Sequence, residues 1–152
     1  MNGLAFEDLK VGQRVKSERY HVTEEAILEF ARQYDVQAFH LDRAAADASL
    51  FGGLAASGWH TAAIAMHLFT TGPMRFEDGA IGLAVDELRW PTAVRPGDAM
   101  RLETEILELR PSRSKPRFGV VRIRNILRNQ KNETVLSYIA SAMVRRRSGA
   151  GN

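Results

Sequence analysis

The sequence predicts an α+β domain in which a curved antiparallel sheet wraps around one long, buried helix. Two observations lead there. Residues 58–69 read Gly-Trp-His-Thr-Ala-Ala-Ile-Ala-Met-His-Leu-Phe, apolar on nearly every side, and a soluble helix of that kind is buried around most of its girth. Downstream, four segments at 81–90, 100–109, 118–127 and 135–144 carry β-branched and large apolar residues at a period near two, the pattern of strands with one covered face. The helix needs a cover, and the concave face of the sheet supplies it.

The remaining elements follow in order. Residues 16–22 read as a short strand. Thr23 then offers its hydroxyl as a helix cap, with Glu24 and Glu25 in the first turn, where acids are favoured. Ile27, Phe30, Ala31 and Tyr34 form one apolar helical stripe. Residues 35–40 lack such a stripe and read as loop. Asp42 caps a short alanine-rich helix over 43–48 before Phe51-Gly52-Gly53 interrupts it. Turn-forming clusters at 95–98, 111–114 and 129–132 separate the later strands.

The 152 residues, 45% hydrophobic, suit a single domain, expected over 1–146 with a flexible tail at 147–152. The absence of cysteine excludes disulfides, thiolate metal sites and cysteine nucleophiles, so chemistry falls to oxygen and imidazole groups. No secretory signal or membrane span is visible at the N-terminus or in the apolar stretch 54–71. A soluble, cytoplasmic chain that binds no membrane is expected. The net charge of +3 hides a division: residues 1–109 carry 10 Lys+Arg against 17 Asp+Glu, and residues 110–152 carry 11 against one. Such asymmetry raises nucleic acid, an anionic membrane or a phosphorylated small molecule as partners.

Reactive residue types are densest in the segment 34–42. Asp35 and His40 lie five residues apart, and on a loop both can face one cavity as a base and an acid suited to adding or removing water. The alternative is a turn carboxylate beside a packing histidine. Gly58 stands at the first turn of the buried helix, after Ser57. Helix N-termini present free amides with partial positive charge, so the Gly58 amide is a candidate oxyanion donor, or else a plain turn glycine with a Ser57 cap.

Taken in order, Phe30-Ala31, Tyr34-Asp35-x-Gln37-Ala38-x-His40-x-Asp42, Phe51-Gly52-Gly53-x-Ala55-x-Ser57-Gly58 and Arg89-Trp90-Pro91-x-x-x-Arg95-Pro96-Gly97-Asp98 resemble the MaoC-like dehydratases, the R-specific enoyl-CoA hydratase group of the hotdog fold. The resemblance spans residues 5–146. It implies that Asp35 and His40 hold and activate water and that the Gly58 amide receives a thioester oxygen. The implied reaction is reversible hydration of a trans-2-enoyl-CoA to a 3-hydroxyacyl-CoA within fatty acid metabolism, by a homodimer or a dimer-based higher oligomer. No metal or cofactor is implied, coenzyme A being part of the substrate. Family members commonly show Asp-x-Asn-Pro-x-His; here Gln37 and Ala38 replace the Asn and Pro. A hotdog acyl-CoA thioesterase and a non-catalytic acyl-thioester binding protein are the alternatives.

Gln37, Ser57 and Trp59 are expected to line the substrate site. Trp59, Met66 and Phe69 read as core or acyl-pocket wall. Arg113, Lys115 and Arg117, on the turn after Pro111, suit coenzyme A phosphates, with a solvated hairpin as the alternative. Nucleic acid is not expected, because no recognition helix or stacking motif accompanies these cations. His60 and His67 read as core or interface packing rather than metal ligands. Arg89, Arg95 and Asp98 read as structural.

Overall fold

The computed structural model describes residues 3–147. Its strands are β1 (Arg14–Lys16), β2 (Tyr20–His21), β3 (Ala80–Arg89), β4 (Ala99–Pro111), β5 (Phe118–Arg128) and β6 (Thr134–Arg145). The helices are α1 (Glu24–Tyr34), α2 (Ala38–Leu41), α3 (Arg43–Ala48) and α4 (Gly58–Thr71), preceded by a 3-10 turn at Phe6–Asp8. One antiparallel sheet runs β1-β4-β5-β6-β3, with β2 also paired to β4.

The sheet covers α4 as expected. Residues such as Leu102, Ile106, Ile123, Leu127 and Leu136 point inward from alternating strand positions and are almost fully buried. Leu102, Leu127 and Leu136 meet Ile64, Ala65 and Leu68 of α4, whereas Ile106 and Ile123 pack in a second cluster with Met74 and Phe76; burial of each such side chain contributes about 1.5–3 kcal/mol. Thr23 caps α1 by accepting from the Ala26 amide at 3.1 Å, and Asp42 caps α3 by accepting from Ala45 at 2.8 Å.

Three expectations change. The strand at 16–22 is two pieces, because Lys16 faces Glu103 while Tyr20 faces Met100, which leaves one extra residue between them. Ser17 fills that break, exchanging hydrogen bonds with the Leu102 backbone at 2.9 Å. The loop at 35–40 ends in a helical turn, α2, that carries His40. The central helix is buried on one side only: Trp59, Met66, His67 and Thr70 are exposed, since no strand of the same chain crosses that face. The edge strand β3 is likewise open, with Ile81, Leu83 and Val85 half exposed.

The charge division resolves largely within the chain. Arg122 pairs with Asp86, Arg124 with Glu105, Arg128 with Glu103, Arg145 with Asp78 and Arg146 with Glu7. Arg147, placed by sequence in the flexible tail, instead bridges Asp8 at 2.8 Å and Glu77 at 3.2 Å; residues 148–152 lie outside the described residues. These exposed pairs contribute little individually, but they cancel charge between the two halves. Among the described residues Arg110, Arg113, Lys115 and Arg117 form no ion pair, so the uncompensated positive charge collects at the β4–β5 turn.

Arg95 and Asp98 are structural, as expected. The Asp98 carboxylate accepts from the Arg95 amide and from Gln130, both at 2.8 Å. The Arg95 guanidinium donates to the carbonyls of Phe51, Gly53 and Leu54, holding the segment that leads into α4. Removing it strands several carbonyls, each costing about 1–3 kcal/mol if buried. Arg95→Met should therefore lower stability by about 2–3 kcal/mol, read as a reduced urea midpoint at unchanged slope.

Candidate active site

Three chain segments converge at the N-terminus of α4. Asp35 terminates α1, where its backbone amide still bonds to the Ala31 carbonyl. Gln37 precedes α2, which turns the chain so that His40 faces inward with 3% of its surface exposed. Residues 54–57, all buried, lead into α4, and Ser57 caps that helix by accepting from the Trp59 amide at 3.3 Å.

These segments fix Asp35 and His40 against each other. His40 Nδ1 lies 2.7 Å from the Ala55 carbonyl oxygen. A carbonyl only accepts, so Nδ1 carries a proton and the neutral ring presents its lone pair at Nε2. Nε2 stands 3.4 Å from Asp35 Oδ2. The other carboxylate oxygen accepts from Gln37 Nε2 at 2.5 Å. Burial pushes the Asp35 carboxyl up, but hydrogen bonds from Ser57 and Gln37, with the adjacent His40 ring, outweigh it and hold its pKa below the ordinary value. The carboxylate stays ionised at neutral pH, with His40 Nε2 facing it.

Gly58 is the first residue of α4, and its amide has no acceptor among the described residues, as helix geometry requires. The Trp90 indole lies directly over it. A Cβ on Gly58 would meet the ring at 2.8 Å, and Trp90 Nε1 donates to the Gly58 carbonyl at 2.7 Å. Trp59, 60% exposed, stands edge-on to Trp90 with ring centroids 5.3 Å apart. In the sequence Trp90 only ends the strand segment 81–90; its packing on Gly58, 32 residues away, is a tertiary contact without a local sequence signal.

Gln37 and Ala38 fit this geometry. The longer amide reaches back to the Asp35 carboxylate, and Ala38 occupies the first position of a helical turn, where proline would also be accommodated. Asp35, Gln37, His40, Ser57, Gly58 and Trp59 are thus brought together. Arg113, Lys115 and Arg117 are not: they sit on the exposed β4–β5 turn. Val94, which pairs with Ala56, and Ala99 mark the site end of the sheet, whereas Pro111 faces Gly119 at the other. The span of β4 between them is roughly 40 Å. His60 stacks on Phe30 at 4.7 Å and His67 meets Tyr20 edge-on at 5.7 Å, so the two imidazoles serve separate packing contacts.

The family model for the MaoC-like domain matches residues 7–128. The chain belongs to the MaoC-like dehydratase family. A solved MaoC-like dehydratase from Rhodospirillum rubrum is 47% identical, with a TM-score of 0.91 over 96% of this chain and 99% of that one. The hotdog arrangement expected from sequence is therefore the observed fold. The R-hydratase PhaJ1 of Pseudomonas aeruginosa is 27% identical, with a TM-score of 0.77 over 95% of this chain and 88% of that one. A mesaconyl-CoA hydratase of Cereibacter sphaeroides is 41% identical over 68 residues, 45% of this chain and 20% of that enzyme. This MaoC-like chain thus spans a fifth of that hydratase's length.

Two consequences can be measured. Gly58→Ala should force Trp90 off the α4 N-terminus, changing the indole fluorescence and lowering stability by about 1–3 kcal/mol. Asp35 has a depressed folded pKa, so it contributes stability that is present above the unfolded carboxylate value and is lost as pH falls through the lower folded one. Asp35→Asn should flatten stability against pH below about 4, and an unchanged acid slope in unfolding titrations would contradict the hydrogen-bonded carboxylate.

Proposed function

We propose that this protein is a hydro-lyase that adds water reversibly to a trans-2-enoyl-CoA, giving a 3-hydroxyacyl-CoA. The observation that carries the reading is the convergence of an ionised carboxylate, an imidazole with Nε2 free to exchange a proton, and an unpartnered helix N-terminal amide within one site. A thioester oxygen at the Gly58 amide leaves the enoyl double bond facing the pair. Water held between Asp35 and His40 Nε2 attacks the β-carbon through its oxygen while Nε2 takes its proton. Negative charge passes to the thioester oxygen, where the amide stabilises it. His40 then returns the proton to the α-carbon, and Asp35 stabilises the transient imidazolium. Atoms and charge balance using the chain's own groups, so the step needs no metal or redox cofactor.

A second copy of the chain completes this picture. Ile81, Leu83 and Val85 of the open edge strand β3 and Trp59 and Met66 of α4 are exposed and apolar, and such residues suit the contact surface of a homodimer. A two-fold axis beside β3 reverses the partner's sheet and brings its β4–β5 turn to the end where this chain's Asp35 and His40 lie. Under this reading the partner's Arg113, Lys115 and Arg117 serve the coenzyme A phosphates across the dimer.

Loss of absorbance at the enoyl-thioester band, followed with crotonyl-CoA and longer or branched enoyl-CoAs, tests the reaction. Asp35→Asn and His40→Gln should each reduce kcat/KM by about 10²–10⁴-fold while leaving the fold intact. Failure of every enoyl-CoA to lose absorbance removes the hydratase reading, and release of free CoA thiol instead points to hydrolysis. Neutralising Arg113, Lys115 and Arg117 together should raise KM for CoA thioesters more than for pantetheine thioesters; equal effects on both return this turn to an ordinary solvated hairpin.

A further inference from the structure

A cavity of about 580 Å³ opens between α4 and the inner face of β3, β5 and β6, walled by Met66, Phe69, Leu83 and Val85 among others. Small residues make the room: Gly82, Ala84, Ala140 and Ala142 all line it. Its walls are mainly apolar, with Thr70, Arg75 and Ser141 also lining it, and its floor carries a polar row. Thr104, Asn125 and Tyr138 are direct cross-strand neighbours on β4, β5 and β6, and all three point inward, where the flanking positions are Leu102, Ile106, Ile123, Leu127, Leu136 and Ala140.

Such a polar row is costly beneath a helix unless its groups are satisfied. Thr104 and Asn125 are 3% and 2% exposed, and the Thr104 hydroxyl donates to Asn125 Oδ1 at 2.8 Å. That bond orients the Asn125 amide with its Nδ2 donors left over. Asn125 and Tyr138 both line the cavity, and neither Asn125 Nδ2 nor the Tyr138 hydroxyl has a hydrogen-bond partner among the described residues. Burial pushes the Tyr138 phenol up to about 12, so it remains a donor at any physiological pH. Two neighbouring donors with no acceptor among the described residues therefore face the same, mainly apolar, space.

We propose that this cavity receives the acyl group and that Asn125 and Tyr138 select acyl groups bearing a hydrogen-bond-accepting oxygen over plain hydrocarbon chains. The inference rests on the acyl-CoA reading above and names the class of acyl group within it. Met66 lies eight residues, about 12 Å, along α4 from Gly58, so the selecting row acts on the distal part of the acyl group and not on the reacting carbons. A hydrocarbon end leaves both donors unpaired in the bound state, whereas an oxygenated end satisfies them, and sites built to pair a polar group reject analogues that lack it.

Equilibrium binding of saturated acyl-CoAs tests this without relying on turnover. Calorimetry would compare six-, eight- and ten-carbon acyl-CoAs with counterparts bearing a keto group next to the terminal methyl. At one chain length or more the wild-type protein should bind the keto compound at least tenfold more tightly. Tyr138→Phe, which removes only the hydroxyl, should cut that preference by about threefold or more, and Asn125→Leu should abolish it, while affinity for the hydrocarbon chain stays equal or improves. Equal binding of both series by wild type, or a Tyr138→Phe protein that retains the full preference, overturns the inference. Binding of neither series at any concentration tested fails the acyl-CoA reading itself, and with it this inference.

Discussion

The hydrogen bond between His40 Nδ1 and the Ala55 carbonyl is the contact on which the site depends. It assigns the proton to one ring nitrogen and leaves the other facing Asp35. It also ties the short α2 turn to the segment that enters α4, so the acid/base pair and the helix N-terminus cannot move independently. Arg95 braces the same segment from the opposite side through the Phe51, Gly53 and Leu54 carbonyls, and the Ala56 amide bonds to Val94. A loop that would otherwise sample many conformations is thereby held by polar contacts on both flanks. Positioning of this kind costs little at the moment of reaction, because the entropy is lost when the chain folds.

Around that centre the fold separates two kinds of environment. The inner face of the sheet is apolar near the site end, where Leu127, Leu136 and Leu102 pack with Ile64 and Leu68. It is apolar again near the far end, where Ile106, Val121 and Val144 meet Met74 and Phe76. The Thr104, Asn125 and Tyr138 row crosses between these two clusters, beside the cavity. Arg122, Arg124 and Arg128 pair with Asp86, Glu105 and Glu103 of other strands, and Arg145, Arg146 and Arg147 pair with Asp78, Glu7, Asp8 and Glu77 outside the sheet, so that much of the charge division is met within the chain. The basic third is thus largely paired within the molecule, with one residual cationic turn.

Much of the fold was legible in the sequence because it rests on local rules. The near-continuous apolarity of α4 marked a covered helix, and Thr23, Asp42 and Ser57 marked helix starts with hydroxyl or carboxylate oxygens. Period-two alternation located β3 to β6. Asp35, His40 and Gly58 stood out through residue type, order and spacing. The helical turn at His40 was not legible, since four residues are too few to show a period. Nor was the open face of α4, whose apolar residues are indistinguishable in sequence from buried core.

The sequence by itself determined which residues can be helix, strand, cap and reactive group, because those properties depend on neighbours within a few positions. The tertiary structure alone decided which of them meet. Trp90 lies on Gly58, Arg95 holds the approach to α4, and Arg147 is pinned between Asp8 and Glu77, all across sequence gaps that periodicity does not bridge. Strand alternation assigns a residue to a face, but register sets its neighbour. The irregularity in β4 after Ile106 and the break between β1 and β2 help set that register. Only the assembled sheet therefore shows Thr104, Asn125 and Tyr138 side by side, and places the basic turn at the opposite end of the same chain from Asp35 and His40.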